Sequence, residues 1–291
     1  MRARRLVVIV ALTAGALAAV GLGSRAAADS SPSPQPTTMP SSPPPVVGPP
    51  LIPNDPCTTL SAIVTRPTVT NSVCTVRPGH VLLETGFQST AYAGSGTVAQ
   101  APQALLRLGT DLPGLEFDLQ LPSYQHASLD GAGYSGITDG GLGLKYVLGA
   151  SPKMSYGLQT AFTVPVGTSG FSAGGTVQNY AFNATLALGP IFALGTTQNV
   201  ALASAGGRAF ASYQPTLVLS AAVPSTTLSL FIEGAQFGNA DGPSTATRTQ
   251  LLGGLSLDPT SRFQVDLEYG YSPTVSTGKY RYVGVGLSYY R

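Results

Sequence analysis

Hydrophobic positions along this chain recur with a period of two. In the C-terminal stretch, Val283, Val285, Leu287 and Tyr289 fall on one face of an extended strand, and Tyr282, Gly284, Gly286, Ser288 and Tyr290 fall on the other. Leu115, Phe117, Leu119 and Leu121 alternate in the same way with Glu116, Asp118 and Gln120, and Phe263, Val265, Leu267 and Tyr269 alternate with Gln264, Asp266 and Glu268. Segments of this kind, separated by Gly, Pro, Ser, Asn and Asp, predict strands near 80–89, 102–111, 114–122, 138–149, 154–164, 177–188, 191–203, 208–222, 226–238, 246–257, 261–271 and 280–290. No helical period competes. One apolar face per strand suits either a soluble sandwich, where it meets a second sheet, or a membrane barrel, where it meets lipid, and alternation alone does not choose.

Charge tips the balance. Only 10% of residues are charged, against about 25% in a soluble domain, while the hydrophobic share is an ordinary 43%. A surface that is mostly lipid-facing, yet built from alternating residues, has this composition. The strand count is even, as single-chain outer-membrane barrels require. The expected fold is therefore all-β: a transmembrane antiparallel up-and-down β-barrel of about twelve strands over residues 79–291. Its outward band would contain Leu106, Leu108, Phe117, Leu119, Leu144, Leu230, Val265, Leu267, Val285 and Leu287. Trp is absent, so any aromatic girdle must come from the 13 Tyr and 10 Phe.

The N-terminal part reads differently. Arg2, Arg4 and Arg5 precede an apolar run from Leu6 to about Leu22 and then Ala26-Ala27-Ala28, the three-part pattern of a secretory signal over residues 1–28. An uncleaved anchor is the alternative, because the run approaches spanning length. Residues 29–56, rich in Pro, Ser and Thr, predict an extended linker. Cys57 and Cys74, the only two cysteines, would close residues 57–78 into a disulfide-bridged segment before the barrel, contributing roughly 3 kcal/mol by loop closure. A metal site would need more ligands than this pair supplies.

Shared inward parity selects the candidate lumen residues: Glu84, Arg107, Glu116, Asp118, Lys145, Glu233, Asp266 and Glu268. Opposite charges on neighbouring strands can either stiffen the wall or present polar contacts to a solute. Asp266 and Glu268, two apart on one strand, read as lumen decoration rather than as a glycosidase pair. His80 opens the first strand and His126 falls in a loop after Pro122-Ser123-Tyr124, neither beside a serine motif. Gly140-Gly141-Leu142-Gly143 lies within a strand and precedes no helix, so it is no phosphate loop, and alternate glycines more plausibly allow curvature or room for aromatic neighbours. No cofactor is implied. A net charge of +2 without a basic cluster in the mature chain gives no nucleic-acid partner.

Several stretches, in order and spacing, resemble a family of bacterial outer-membrane proteins associated with the meta pathway of phenol degradation and often called transporters. They are Leu105-Leu-Arg-Leu-Gly109 with Leu115-Glu-Phe-Asp-Leu119, Asp139-Gly-Gly-Leu-Gly-Leu-Lys-Tyr146, Phe162-Thr-Val-Pro-Val-Gly167, Glu233-Gly-Ala-Gln-Phe237, and Phe263-Gln-Val-Asp-Leu-Glu-Tyr-Gly270 with Val283-Gly-Val-Gly-Leu-Ser-Tyr289. The resemblance implies a barrel in the bacterial outer membrane that passes aromatic or other small apolar compounds. Outer-membrane lipid, the barrel-assembly machinery and a small-molecule solute would then be its partners. The chain departs from the family by ending Tyr289-Tyr290-Arg291, where the family closes on an aromatic residue, and by adding the Pro-rich linker and cysteine loop, which suggests an extra periplasmic or plug-like element. The functional expectation is a passive channel and not an enzyme. A structural or adhesive barrel without transport is the alternative, and a membrane-embedded lipid-modifying enzyme is a third class.

Overall fold

The structure is a computed structural model that describes residues 55–205, 208–238, 247–273 and 279–291. The expected signal segment and all but the end of the expected linker lie outside the described residues. A four-residue helix, Leu60–Ile63, is capped by Thr59, whose hydroxyl accepts from the Ala62 N–H.

The remainder is strand. We number the wall β1 (Val81–Tyr92), β2 (Gly96–Ala101 and Leu105–Gly109), β3 (Leu115–Gln120 and Tyr124–Leu129), β4 (Ala132–Ile137 and Gly140–Ala150), β5 (Met154–Val164), β6 (Gln178–Ala187), β7 (Phe192–Ala205), β8 (Arg208–Ala222), β9 (Leu228–Gly238), β10 (Thr247–Thr260), β11 (Phe263–Ser272) and β12 (Tyr280–Tyr290). Each strand pairs antiparallel with the next, and β12 pairs back onto β1 from Leu82↔Tyr290 to Tyr92↔Tyr280. The twelve strands form a closed transmembrane barrel without a free edge. The lower rim is taken here as the end where β1 begins and β12 finishes. There the Val81 N–H donates to the Arg291 carbonyl at 2.8 Å and the Arg291 N–H to the Val81 carbonyl at 2.9 Å.

Three strands are broken midway, at Pro102 in β2, Pro122 in β3 and Thr138-Asp139 in β4. Proline has no N–H to give the ladder, so pairing lapses at the first two points and resumes beyond them. The sequence pattern predicted only the lower halves. The upper halves, Gly96–Ala101, Tyr124–Leu129 and Ala132–Ile137, mix Gly, Ser, Thr and Ala on both faces and show little alternation to read. His126 accordingly lies on a strand of β3 and not in the expected loop, with its Nδ1 2.8 Å from Ser135 Oγ on β4. The strand expected near 191–203 is β7, Phe192–Ala205. Asp139 ties down the β5–β6 connection by accepting from the Gly167 and Ala173 N–H groups at 2.9 and 2.8 Å.

The outward parity holds. Leu144, Leu230, Val265, Leu267, Val285 and Leu287 are exposed on the barrel exterior, together with Leu142, Leu158, Phe162, Phe182, Leu217 and Ile232. Leu106, Leu108, Phe117 and Leu119 point the same way but are half-covered by neighbours. A continuous band of this kind finds a favourable solvent only in hydrocarbon. Leu267→Arg, placed between Leu255 and Val285, should cost roughly 2–4 kcal/mol. The check is denaturant unfolding of the barrel in lipid vesicles. An unchanged midpoint would mean that this face does not meet lipid.

Candidate functional site

The lumen is not empty: residues 55–80 run inside it. The segment between Cys57 and Cys74, closed by a disulfide, packs Leu60, Ile63 and Val64, together with Val76 just beyond it, against Leu82 of β1 and Tyr290 of β12, forming a small apolar core at the lower rim. His80 stacks on Tyr290 with ring centroids 5.3 Å apart. Asp55, at the end of the expected linker, pairs with Arg77 at 3.2 Å and belongs to this folded insert.

Above that core the insert crosses the barrel. It starts at β1, where Glu84 accepts from the Thr65 and Arg66 N–H groups at 3.1 and 2.9 Å. It reaches the opposite wall, where Glu233 of β9 accepts from the N–H groups of Val69 at 2.8 Å and Thr70 at 2.6 Å and from the Thr70 hydroxyl at 2.7 Å. The Asn71 N–H donates to Thr197 Oγ1 of β7 at 2.8 Å. The return limb is met by Glu116 of β3, which accepts from the Val76 N–H at 2.5 Å. A loop thrust into a lumen carries backbone N–H groups that need acceptors, and carboxylates on the wall supply them.

Arg107 of β2 organises this arrangement. Its side chain is fully buried, and every N–H of its guanidinium is used: Nε donates to Glu116 at 2.8 Å, Nη1 to Glu84 at 2.7 Å and to the Ile63 carbonyl at 2.6 Å, and Nη2 to Glu116 and to the Cys74 carbonyl at 3.0 Å each. It thus clamps carbonyls from both limbs of the insert while neutralising the two carboxylates that hold its N–H groups. Asp118 and Lys145 complete the cluster, 3.8 Å from Arg107 Nε and 3.5 Å from Glu116 respectively. Asp266 and Glu268 of β11 face Arg66 of the insert at 3.4 and 3.8 Å. All eight charged residues selected from inward parity therefore face the interior. Glu84, Arg107, Glu116, Glu233, Asp266 and Glu268 contact the insert directly.

Inward glycines make room for it. A Cβ at Gly86 of β1 would lie 2.6 Å from the Arg66 guanidinium, and one at Gly109 would collide with the Arg77 carbonyl. Gly270 serves as the sequence reading expected, giving space to the Tyr282 ring.

Over the insert the wall changes character. Carboxamides become frequent: Gln88, Gln103, Gln120, Gln214 and Gln250, with Arg66, Arg248 and Glu268, border a cavity of about 840 Å³, and Gln159, Asn179, Asn199 and Gln214 border an adjoining one of about 200 Å³. Phe237 borders both. Below the crossing limb, between the insert and β5–β10, lies a further cavity of about 350 Å³. The limb Arg66–Thr68 lines the large upper cavity and the lower one. Sequence reasoning missed Arg66 and the carboxamides. The signal was there in the inward phase of Asn179, Asn183, Gln159 and Gln88, but amides lack the contrast with apolar neighbours that charges provide.

The structure does not bring the two histidines together. His80 sits at the rim against Tyr290, and His126 with Ser135 faces outward on the upper wall. Beyond Ser135, the His126 ring meets no hydrogen-bonding group among the described residues that would orient it as a base.

No protein-family model and no curated protein matches the chain. Among solved structures, an outer membrane channel from Pseudomonas putida F1 aligns at 15% identity and a TM-score of 0.57, covering 74% of this chain and 97% of that one. The KdgM porin aligns at 10% identity and a TM-score of 0.49 over 71% and 98% of the two chains. The CymD monoaromatic hydrocarbon channel aligns at 13% identity and a TM-score of 0.40 over 74% and 89%. The first shares the fold of this chain, and the other two are too distant to carry an argument.

If Arg107 holds the insert in place, Arg107→Met should destabilise the protein by about 3–5 kcal/mol, because Glu84 and Glu116 would remain buried with their main counter-charge gone. The loss should be largely recovered in a triple variant that adds Glu84→Gln and Glu116→Gln. Thermal unfolding followed by the gel shift between folded and unfolded barrel measures both. A single variant as stable as the unaltered chain would show that the cluster does not hold the structure.

Proposed function

We propose that this protein is a passive channel of the bacterial outer membrane for small uncharged compounds, with its own N-terminal insert as the constriction. The observation that carries this reading is the pair of cavities on opposite sides of the Arg66–Thr68 limb, the upper one bordered largely by amides. A barrel that served only as a scaffold would gain nothing from keeping such space above and below a thin crossing limb. Mixed signs on the wall, most of them spent on the insert or on one another, argue against strong selection of ions by charge. The proposal includes export through a cleaved signal peptide, insertion by the barrel-assembly machinery and oxidation of Cys57 and Cys74 outside the cytoplasm. The aromatic or apolar solutes implied by the resemblance to the phenol-degradation family fall within the uncharged class.

The insert is fastened to the far wall chiefly through Glu233. Glu233→Ala removes the acceptor for Val69 and Thr70 while leaving the Arg107 cluster whole. In reconstituted liposomes the unaltered protein should conduct ions weakly and admit small neutral solutes such as glycerol, and Glu233→Ala should raise solute flux several-fold. Absence of flux in both proteins would favour the structural barrel without transport.

A further inference from the structure

The upper cavity has a chemistry of its own. At about 840 Å³ it falls within the 300–1,000 Å³ typical of small-molecule sites. Three charged residues border it: Arg66 faces Asp266 and Glu268, and the Arg248 guanidinium lies over the Tyr280 ring, 5.2 Å from its centre. What remains is a wall of carboxamides, each offering donors and an acceptor without net charge. They are already linked in chains. Gln103 Nε2 donates to Gln88 Oε1 at 3.2 Å, Gln250 Nε2 to the Tyr282 hydroxyl at 2.9 Å, and Asn199 Nδ2 to Gln214 Oε1 at 2.9 Å. Asn199 Oδ1, buried at the edge of the adjoining cavity, has no hydrogen-bond partner. Half-buried Tyr92 and Phe237 add aromatic surface at the border.

We infer that this cavity is a binding subsite for a neutral polyhydroxylated ring, a saccharide, on the path through the channel. The inference rests on the channel reading and gives its solute a chemical class. Hydroxyl groups both donate and accept, so a sugar can replace the water on these amides bond for bond while its C–H faces lie on Phe237 and Tyr92. A purely apolar ring would strip water from the same amides and return nothing. A saccharide matches two features of the lining: dense amides and aromatic edges.

The test separates binding from passage. Calorimetric titration of the detergent-solubilised full chain with a neutral disaccharide should show saturable binding. Gln214→Leu and Gln88→Leu, on different parts of the wall, should each weaken it at least fivefold while retaining the gel shift of a folded barrel, and Gln214→Asn should restore part of the loss. Benzyl alcohol, a neutral aromatic probe, should bind more weakly than the sugar and no worse in the Leu variants. Liposome swelling is measured in parallel. Flux of glycerol without saturable sugar binding would overturn the saccharide site and leave the channel standing. Sugar binding without any flux would overturn the channel and leave the site. Sugar binding unchanged in both folded Leu variants, or tighter binding of benzyl alcohol, would also overturn the inference. If a Leu variant fails to fold, competition between disaccharide and benzyl alcohol on the unaltered protein decides the same question.

Discussion

A guanidinium with no water around it sets the terms for the rest of this molecule. Arg107 is wholly enclosed, and an ion in that position is tolerable only if each of its donors meets an acceptor of suitable charge. The wall supplies two carboxylates and the insert supplies two carbonyls. Neither party can leave without stranding the other. Those carboxylates in turn accept from backbone N–H groups of the insert, so wall and insert share one hydrogen-bonding system rather than touching as two packed bodies. The glycines at 86 and 109 and the charges near the insert become intelligible once that system is seen as primary.

The lumen is thereby layered from the lower rim upward: an apolar core, a charged band that secures the insert, and a carboxamide band around open space. Each layer does what its chemistry permits. Apolar contact seats the insert, charge fixes its register against named strands, and amides face whatever enters from above. Most of the inward charges selected by parity are consumed around the insert, so the upper space is bordered mainly by amides.

Much of the barrel was legible because a lipid-facing wall must alternate, and Leu115–Gln120, Phe263–Ser272 and Tyr280–Tyr290 do so without interruption. The upper halves of β2, β3 and β4 escaped notice for the converse reason: where both faces are polar or small, no contrast marks the phase. Glu84, Arg107 and Glu233 could be assigned to the interior by parity, yet parity is silent about what they touch. Their partners are main-chain groups of the cysteine loop, and a backbone N–H carries no signature in sequence. Arg66, a lone cation before Pro67 in that loop, was the nearest hint that the loop answers charges elsewhere.

One consequence concerns the seam. The core under the insert is made partly by Leu82, in the first strand, and Tyr290, next to last in the chain, and these two residues are paired across the closing ladder. Without β12 beside β1, the insert would lack part of its bed. Closing the wall and seating the insert are therefore coupled, because the same two paired residues serve both.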